Sequence, residues 1–215
     1  RDRSVSRGLG DVYKRQTEHG IVEKEDFTEV ESLDFSNARI VFQGVEGAYS
    51  QLAMKTYFGE NCNGYNVDTW KDAMEDIKCG KADYAVLPIE NSSAGIVSEN
   101  YDLLVEYDNY IVGEQIIRID HSLMGLPGAK LSDIRTVYSH PQALMQCSDF
   151  FDEHKDINQV AVRNTAFSAK KVKDDGDITQ AGIASHISAD IYGLQVLESR
   201  IQNNKNNATR FIIVS

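Results

Sequence analysis

Short apolar runs closed by glycine or polar residues alternate with stretches of helical period along most of this chain. Residues 38–44 (ARIVFQG) form an apolar run ended by Gly44, the pattern of a buried strand. The next stretch, 47–59, sets Leu52, Ala53, Thr56 and Tyr57 on one helical face and stops at Gly59. A short strand over 65–67 precedes Thr69, placed to cap a helix in which Trp70, Met74 and Ile77 share a face up to Gly80. Residues 82–90 (ADYAVLPIE) read as a strand broken at Pro88.

The second half repeats the alternation. Residues 111–119 and 121–126 are extended, and 134–140 is a strand feeding a helix that starts at Pro141 and runs to His154. Strand 159–164, helix 165–174, the run AGIAS into HISADIYGL, a strand over 195–201 and a last strand from Ala208 complete the pattern. This order predicts an α/β protein of two small lobes, each a mostly parallel sheet flanked by helices. Ligands of such sheets sit where strands end and helices begin.

The two ends depart from this pattern. Residues 1–16 carry five basic residues against two acidic, show no apolar period and resemble a translated adapter; they are read as extraneous to the fold. Residues 17–37 are acidic and polar, a linker composition consistent with a lost upstream domain. The chain stops inside the apolar run FIIVS, so a cut C-terminus is expected. The folded unit is expected over 38–215, with one lobe from 38–110 plus 198–215 and the other from 111–197.

Composition narrows the class. Hydrophobic content of 41% with 26% charged residues is that of a soluble globular chain, and no stretch reaches the ~20 apolar residues of a membrane span. Three dispersed cysteines, Cys62, Cys79 and Cys147, form neither a disulfide framework nor a metal spacing with the five histidines. Reduced thiols and a cytoplasmic location follow. A net charge of −11 argues against nucleic acid or an anionic membrane as partner. An anionic substrate would then be held by local devices, an arginine or helix N-termini.

Four strand-to-helix junctions carry candidate chemistry. In PIENSSAG, residues 88–95, Asn91 and Ser92 either cap the turn or offer donors to a carboxylate. In YSHPQALMQC, residues 138–147, Ser139, His140 and Gln142 cluster at a helix start; His140 is able to exchange a proton near neutral pH or simply to cap. In RNTAFSA, residues 163–169, Asn164 or Thr165 is the N-cap. In NNATRF, residues 206–211, Arg210 offers a fork for a carboxylate or an exposed ion pair with an acidic neighbour.

Taken in this order, PIENSSAG, SHPQALMQC, NTAFSAKKV, IASHISADIYGLQVL and NNATRF resemble the prephenate dehydratase family from about Ala38 to Ser215. GVEGAYS, residues 44–50, departs from the common family form at Val45 and Ala48 while Gly44, Gly47, Tyr49 and Ser50 fit. The resemblance implies a two-lobed fold similar to type II periplasmic binding proteins and decarboxylating dehydration of prephenate to phenylpyruvate, without metal or cofactor. It implies Thr209 as the residue of chemistry, with His140 as a proton source behind it. It further implies Asn91, Ser92, Ser139, Gln142, Thr165, Arg210 and Ser50 as substrate contacts, with Phe211 and Tyr49 beside the ring. Arogenate dehydratase and a non-catalytic small-anion-binding protein of the same fold are the rival readings. A homo-oligomer is implied as well, and chorismate mutase and ACT domains found in many relatives are missing from this chain.

Overall fold

The computed structural model describes residues 35–215; the basic segment and most of the acidic linker lie outside the described residues. β1 (Arg39–Gln43) carries Ile40, Val41 and Phe42 at 0%, 0% and 2% exposure, so both its faces are covered. Ile40 and Phe42 pack with Ala53 and Met54 of α1 (Tyr49–Phe58). Val41 packs on the other side with Ala73 and Met74 of α2 (Trp70–Lys78). A strand buried on both faces reads as a continuous apolar run, which is the pattern of residues 40–42. Each such side chain contributes about 1.5–3 kcal/mol relative to staying in water.

β2 (Asn63–Val67) and β3 (Tyr84–Asn91) flank β1 in parallel. A short β4 (Gly95–Ile96) folds back on β3, and α3 (Ser98–Glu106) follows. β5 (Ile111–Arg118) and the final strand, β11 (Ala208–Val214), complete the first sheet in the order β2-β1-β3-β11-β5, with β11 antiparallel to both neighbours.

The second sheet has the order β10-β6-β9-β7-β8. Its strands are β6 (Ser122–Gly125), β7 (Thr136–Ser139), β8 (Asn158–Ala161), β9 (Gln180–Ala184) and β10 (Gln195–Glu198). α4 (Pro141–Gln146) and α5 (Ser148–Glu153) cover one face, burying Leu144, Phe150 and Phe151 against Leu123, Val137 and Ile183. α6 (Thr165–Asp175) and α7 (His186–Tyr192) cover the other, placing Ala169, Val172 and Ala189 against Met124 and Ala184. β7 is parallel to β8 and β9, whereas β6 and β10 join antiparallel. Each sheet is thus parallel in one half and antiparallel where strands arrive from the other lobe.

The chain passes between lobes twice, and the two passages are stitched together: Ile119 N–H donates to the Asn207 carbonyl (2.9 Å) and Ile201 N–H to the His121 carbonyl (3.0 Å). The first passage lies at 119–121, not at 111 as expected, because β5 pairs along its length with β11 in the first sheet. Other differences are local. Pro88 does not break β3; the register with β11 slips between Arg210 and Phe211, so Ile89 needs no partner and the strand runs on to Asn91. The expected helix 141–154 is two helices parted at Cys147, whose φ/ψ of −111°/23° leaves the helical region. In α1, Ala53 and Met54 are buried while Thr56 is exposed. Residues 98–106, for which the pattern gave no element, form α3.

Candidate active site

The parallel halves of the two sheets point their carboxyl ends at one another. Gly47, in the loop after β1, offers its carbonyl to Ser185 Oγ (2.9 Å) and Ser188 Oγ (3.1 Å), just after β9. Tyr192 of α7 donates its hydroxyl to the Glu46 carbonyl at 2.8 Å. Arg163, after β8, stands 3.7 Å from Asp68, after β2. These loops, after β1, β2, β8 and β9, face one another across a cleft. Gly47 is required at its position: its φ is +86°, and a Cβ there would lie 2.6 Å from Ser188 Oγ.

Thr209 sits on β11 opposite Asn91 of β3 and is 8% exposed. Asn91 uses its Oδ1 to accept the backbone N–H groups of Ser93 (2.9 Å) and Ala94 (2.8 Å), a turn that folds β3 back into β4. That commitment turns its Nδ2 toward Thr209 Oγ1 (2.8 Å), Asn207 Oδ1 (2.9 Å) and the Ala208 carbonyl (3.2 Å). Thr209 therefore accepts a hydrogen bond and keeps its own proton unspent among the described residues. Ser92 pins the same corner: its Oγ accepts Ala208 N–H (3.0 Å) and donates to Asn207 Oδ1 (3.3 Å).

From Asn207 the chain of bonds crosses into the second lobe. Asn207 Nδ2 donates to Gln146 Oε1 at the end of α4 (3.2 Å), and His121 Nε2 lies 3.0 Å from the same oxygen. Tyr49, first residue of α1, places its hydroxyl 2.8 Å from the Asp120 carbonyl and 3.2 Å from His121 Nδ1. Burial pushes the Tyr49 hydroxyl well above its ordinary pKa and pulls His121 below the usual imidazole range, despite the opposing pull of Gln146 and Asp120 on the latter.

Of the sequence-predicted residues, Asn91, Ser92 and Thr209 are in one hydrogen-bonded corner, and Tyr49 joins it through His121 and Gln146. Gln142 and Thr165 are half-buried at the starts of α4 and α6, on the facing edge; Asn164, not Thr165, caps α6 by accepting Phe167 N–H at 2.7 Å. The rest are placed differently from expectation. Ser139 is 0% exposed and donates to the Ile183 carbonyl at 2.7 Å, tying β7 to β9. Ser50 donates to the Gln43 carbonyl at 2.9 Å and closes the loop after β1. Phe211 is 3% exposed within the first-lobe core beside Ile40 and Met54. Arg210 alternates with Thr209 along β11 and so lies on the other face, half-exposed and 3.7 Å from Glu114. His140 caps its own helix, its Nδ1 accepting Gln142 N–H at 3.2 Å. The histidine wired to Thr209 is His121.

His121, Gln146 and Asn207 were missed by sequence reasoning. Asn207 and Gln146 stand inside the quoted motifs, and the burial of Asn207 (1% exposed) against the half-buried Gln146 is a property of the lobes' meeting rather than of any local pattern.

Comparisons with known proteins identify the family of this two-lobed fold. The prephenate dehydratase family model matches residues 40–215. Arogenate dehydratase/prephenate dehydratase 1, chloroplastic, of Arabidopsis thaliana is 41% identical over 182 residues, 85% of this chain and 46% of that protein. The bifunctional chorismate mutase/prephenate dehydratase of Buchnera aphidicola is 37% identical over 181 residues, 83% of this chain and 47% of its own length. This chain spans about half the length of the curated relatives it matches. Among solved structures, the prephenate dehydratase of Arthrobacter aurescens in complex with L-Phe superimposes with a TM-score of 0.77 at 31% identity, over 82% of this chain and 60% of that one. GqqA, described as a novel type of quorum-quenching acylase, gives 0.75 at 34% identity over 82% and 63%. No helix among the described residues is long and apolar enough to cross a membrane. With a family model covering residues 40–215 of the described two-lobed unit, this chain belongs to the prephenate dehydratase family.

Proposed function

We propose that the chain converts prephenate to phenylpyruvate in the cleft between its lobes. The observation that carries this reading is the 2.8 Å contact in which Asn91 donates to Thr209 Oγ1. In the reaction the bond from the ring to its carboxylate breaks and that electron pair enters the ring. The bond to the ring hydroxyl opposite breaks in turn, releasing CO2 and hydroxide, which takes a proton from solvent to become water. A donor aimed at the departing oxygen stabilises charge that exists only in the transition state. A threonine hydroxyl is too weak an acid to ionise, but with its lone pair engaged by Asn91 it is poised to give its hydrogen bond outward. Substrate carboxylates are met by side-chain amides and by the first-turn N–H groups of α1 and α6, which open onto the cleft.

Arogenate is the alternative substrate, and the Arabidopsis relative's name carries both activities. Acyl transfer is a poorer fit: among the described residues the hydroxyls of Ser92, Ser139 and Thr209 hydrogen-bond to amides and carbonyls, and the one beside a histidine ring, Tyr49, is held well above its ordinary pKa by burial. The same reading takes in a cytoplasmic homo-oligomer of aromatic amino-acid biosynthesis, and the exposed Ile96, Tyr101 and Val105 near and along α3 supply apolar surface for assembly.

The test is steady-state turnover of prephenate and of arogenate, followed by product absorbance in alkali. Thr209→Ala is expected to lower kcat by about 10²- to 10³-fold with little change in KM, the signature of a contact made in the transition state. Near wild-type kcat in that variant would take Thr209 out of the mechanism.

A further inference from the structure

The direction of each hydrogen bond from Asn91 to His121 Nε2 is fixed by counting protons. At one end, Asn91 Oδ1 is held by two backbone N–H groups, so its amide faces Asn207 with hydrogens. Asn207 Oδ1 accepts those, leaving Asn207 to present hydrogens to Gln146. Gln146 accordingly presents oxygen, and the His121 nitrogen 3.0 Å from it must carry a proton. At the other end, burial disfavours a second proton on the ring, so Nδ1 is left bare and shares the single Tyr49 proton (3.2 Å) with the Asp120 carbonyl (2.8 Å).

We propose that His121 is a positioning residue for this reaction: as the neutral Nε2–H tautomer it locks Gln146 and Asn207 so that Asn91 donates to Thr209 and the Thr209 proton is left for the substrate. The inference rests on the reading of Thr209 as a donor to the departing hydroxyl. With the proton on Nδ1 instead, two lone pairs would face each other between His121 and Gln146. Turning the Gln146 amide over would relieve that clash only by setting its hydrogens against those of Asn207. Asn91 has no freedom to follow, because its oxygen is tied to the turn. For a neutral ring one arrangement satisfies the whole set, and a half-satisfied one is costly in a buried network.

The ring is well placed for this role. His121 is 2% exposed, its backbone N–H is held by Gln202 Oε1 at 3.0 Å, and the Gln202 amide holds Asp120 Oδ1 at 2.7 Å. Arg118 and Arg200 stand 3.6 Å and 3.4 Å from that carboxylate, answering its charge. Gln146 comes from the second lobe whereas Tyr49, Asn91 and Thr209 come from the first, so His121 ties the register of the lobes to the orientation of the reacting hydroxyl. The directions of the His121 and Tyr49 pKa shifts both favour the neutral forms this scheme needs.

Two measurements on the full chain test it. A long-range ¹H–¹⁵N spectrum of histidine-labelled protein should show His121 protonated at Nε2 and bare at Nδ1; the opposite tautomer overturns the proposal. In kinetics, His121→Leu should lower kcat by up to about 100-fold, the scale of a misplaced reacting group. His121→Gln, which returns an N–H to the Nε2 position, should recover most of the loss. In a Thr209→Ala background, His121→Leu should cost nothing further. Equal losses in both backgrounds overturn the positioning role and leave Thr209 untouched, whereas wild-type kcat in Thr209→Ala alone removes the underlying reading. Should His121→Leu fail to fold, Gln146→Met breaks the link between His121 and Asn207 while leaving the ring in place. It should lower kcat in the wild-type background and cost nothing further in Thr209→Ala, and an unchanged kcat refutes the scheme.

Discussion

Replacing Gly47 by alanine separates two effects that one residue now combines. At a φ of +86° an alanine is strained whatever surrounds it, at about 1–2 kcal/mol. On a chain of this size that lowers Tm by roughly 2–8 °C, since each kcal/mol is worth about 2–4 °C. The second effect acts between lobes. The new methyl would sit 2.6 Å from Ser188 Oγ and 3.2–3.3 Å from Ser188 Cβ and Cα, so the edges must move apart. That weakens the three hydrogen bonds by which Ser185, Ser188 and Tyr192 hold the loop, each contributing about 0.5–1.5 kcal/mol. If a closed cleft is what grips substrate, losing about 2 kcal/mol of closure should raise KM by roughly 30-fold. Ser188→Gly in the same chain removes the obstructing side chain and should restore much of KM while leaving Tm low, because the backbone strain persists. Thermal melts and prephenate kinetics on Gly47→Ala, Ser188→Gly and the double variant read both effects. A wild-type KM in Gly47→Ala, or a raised KM that Ser188→Gly does not improve, would refute the role given to this contact.

Two further outcomes follow from groups away from the cleft. Arg39 grips Asp83 through Nη2 (2.7 Å), Nε (3.0 Å) and the backbone N–H (2.8 Å), which holds the Asp83 carboxyl down to about 2. A depressed carboxyl stabilises the fold above its unfolded value of 3.8 and loses that contribution as pH falls toward 2. Asp83→Asn should therefore melt below wild type at pH 7, with the gap closing through that acid window; a gap independent of pH would break the assignment. Among the thiols, Cys79 is exposed, whereas burial holds Cys147 at 0% exposure and pushes it up to about 12 against the weaker pull of Lys205. A maleimide at neutral pH should label Cys79 in the native protein and Cys147 only after denaturation, as read by intact mass. Comparable native labelling of both would contradict the burial.

Elements were legible where the signal was local. Thr69 was legible as a helix cap, and the structure shows it accepting Asp72 N–H while the Asp72 carboxylate takes the Thr69 N–H in return. α3 was illegible because its pattern is mixed: Leu103 is buried, but Tyr101 and Val105 are exposed while the polar Asn100 is 0% exposed, donating to the Pro88 carbonyl at 2.7 Å. The unbroken β3 was illegible for another reason, since the slip that accommodates Pro88 occurs opposite β11, far along the chain. The lobe boundary failed similarly, as nothing within 111–118 says which sheet will accept that strand.

The cleft was half legible, and strand geometry explains which half. Reading TRF as three neighbours groups Thr209, Arg210 and Phe211, yet successive residues of a strand face opposite ways. Thr209 points to the Asn91 corner, Arg210 points away to Glu114, and Phe211 drops into the core once the register has slipped. The informative spacing is therefore two, not one: Asn207 and Thr209 both touch Asn91. Even with that correction, letters alone do not say whether Thr209 gives or takes a proton. The answer depends on an amide oxygen bound to the turn at Ser93 and Ala94, and on a histidine across the hinge. In the proposed scheme Thr209 gives its proton outward because Asn91 already occupies one of its two lone pairs, a property of the hydrogen-bond network and not of the threonine itself.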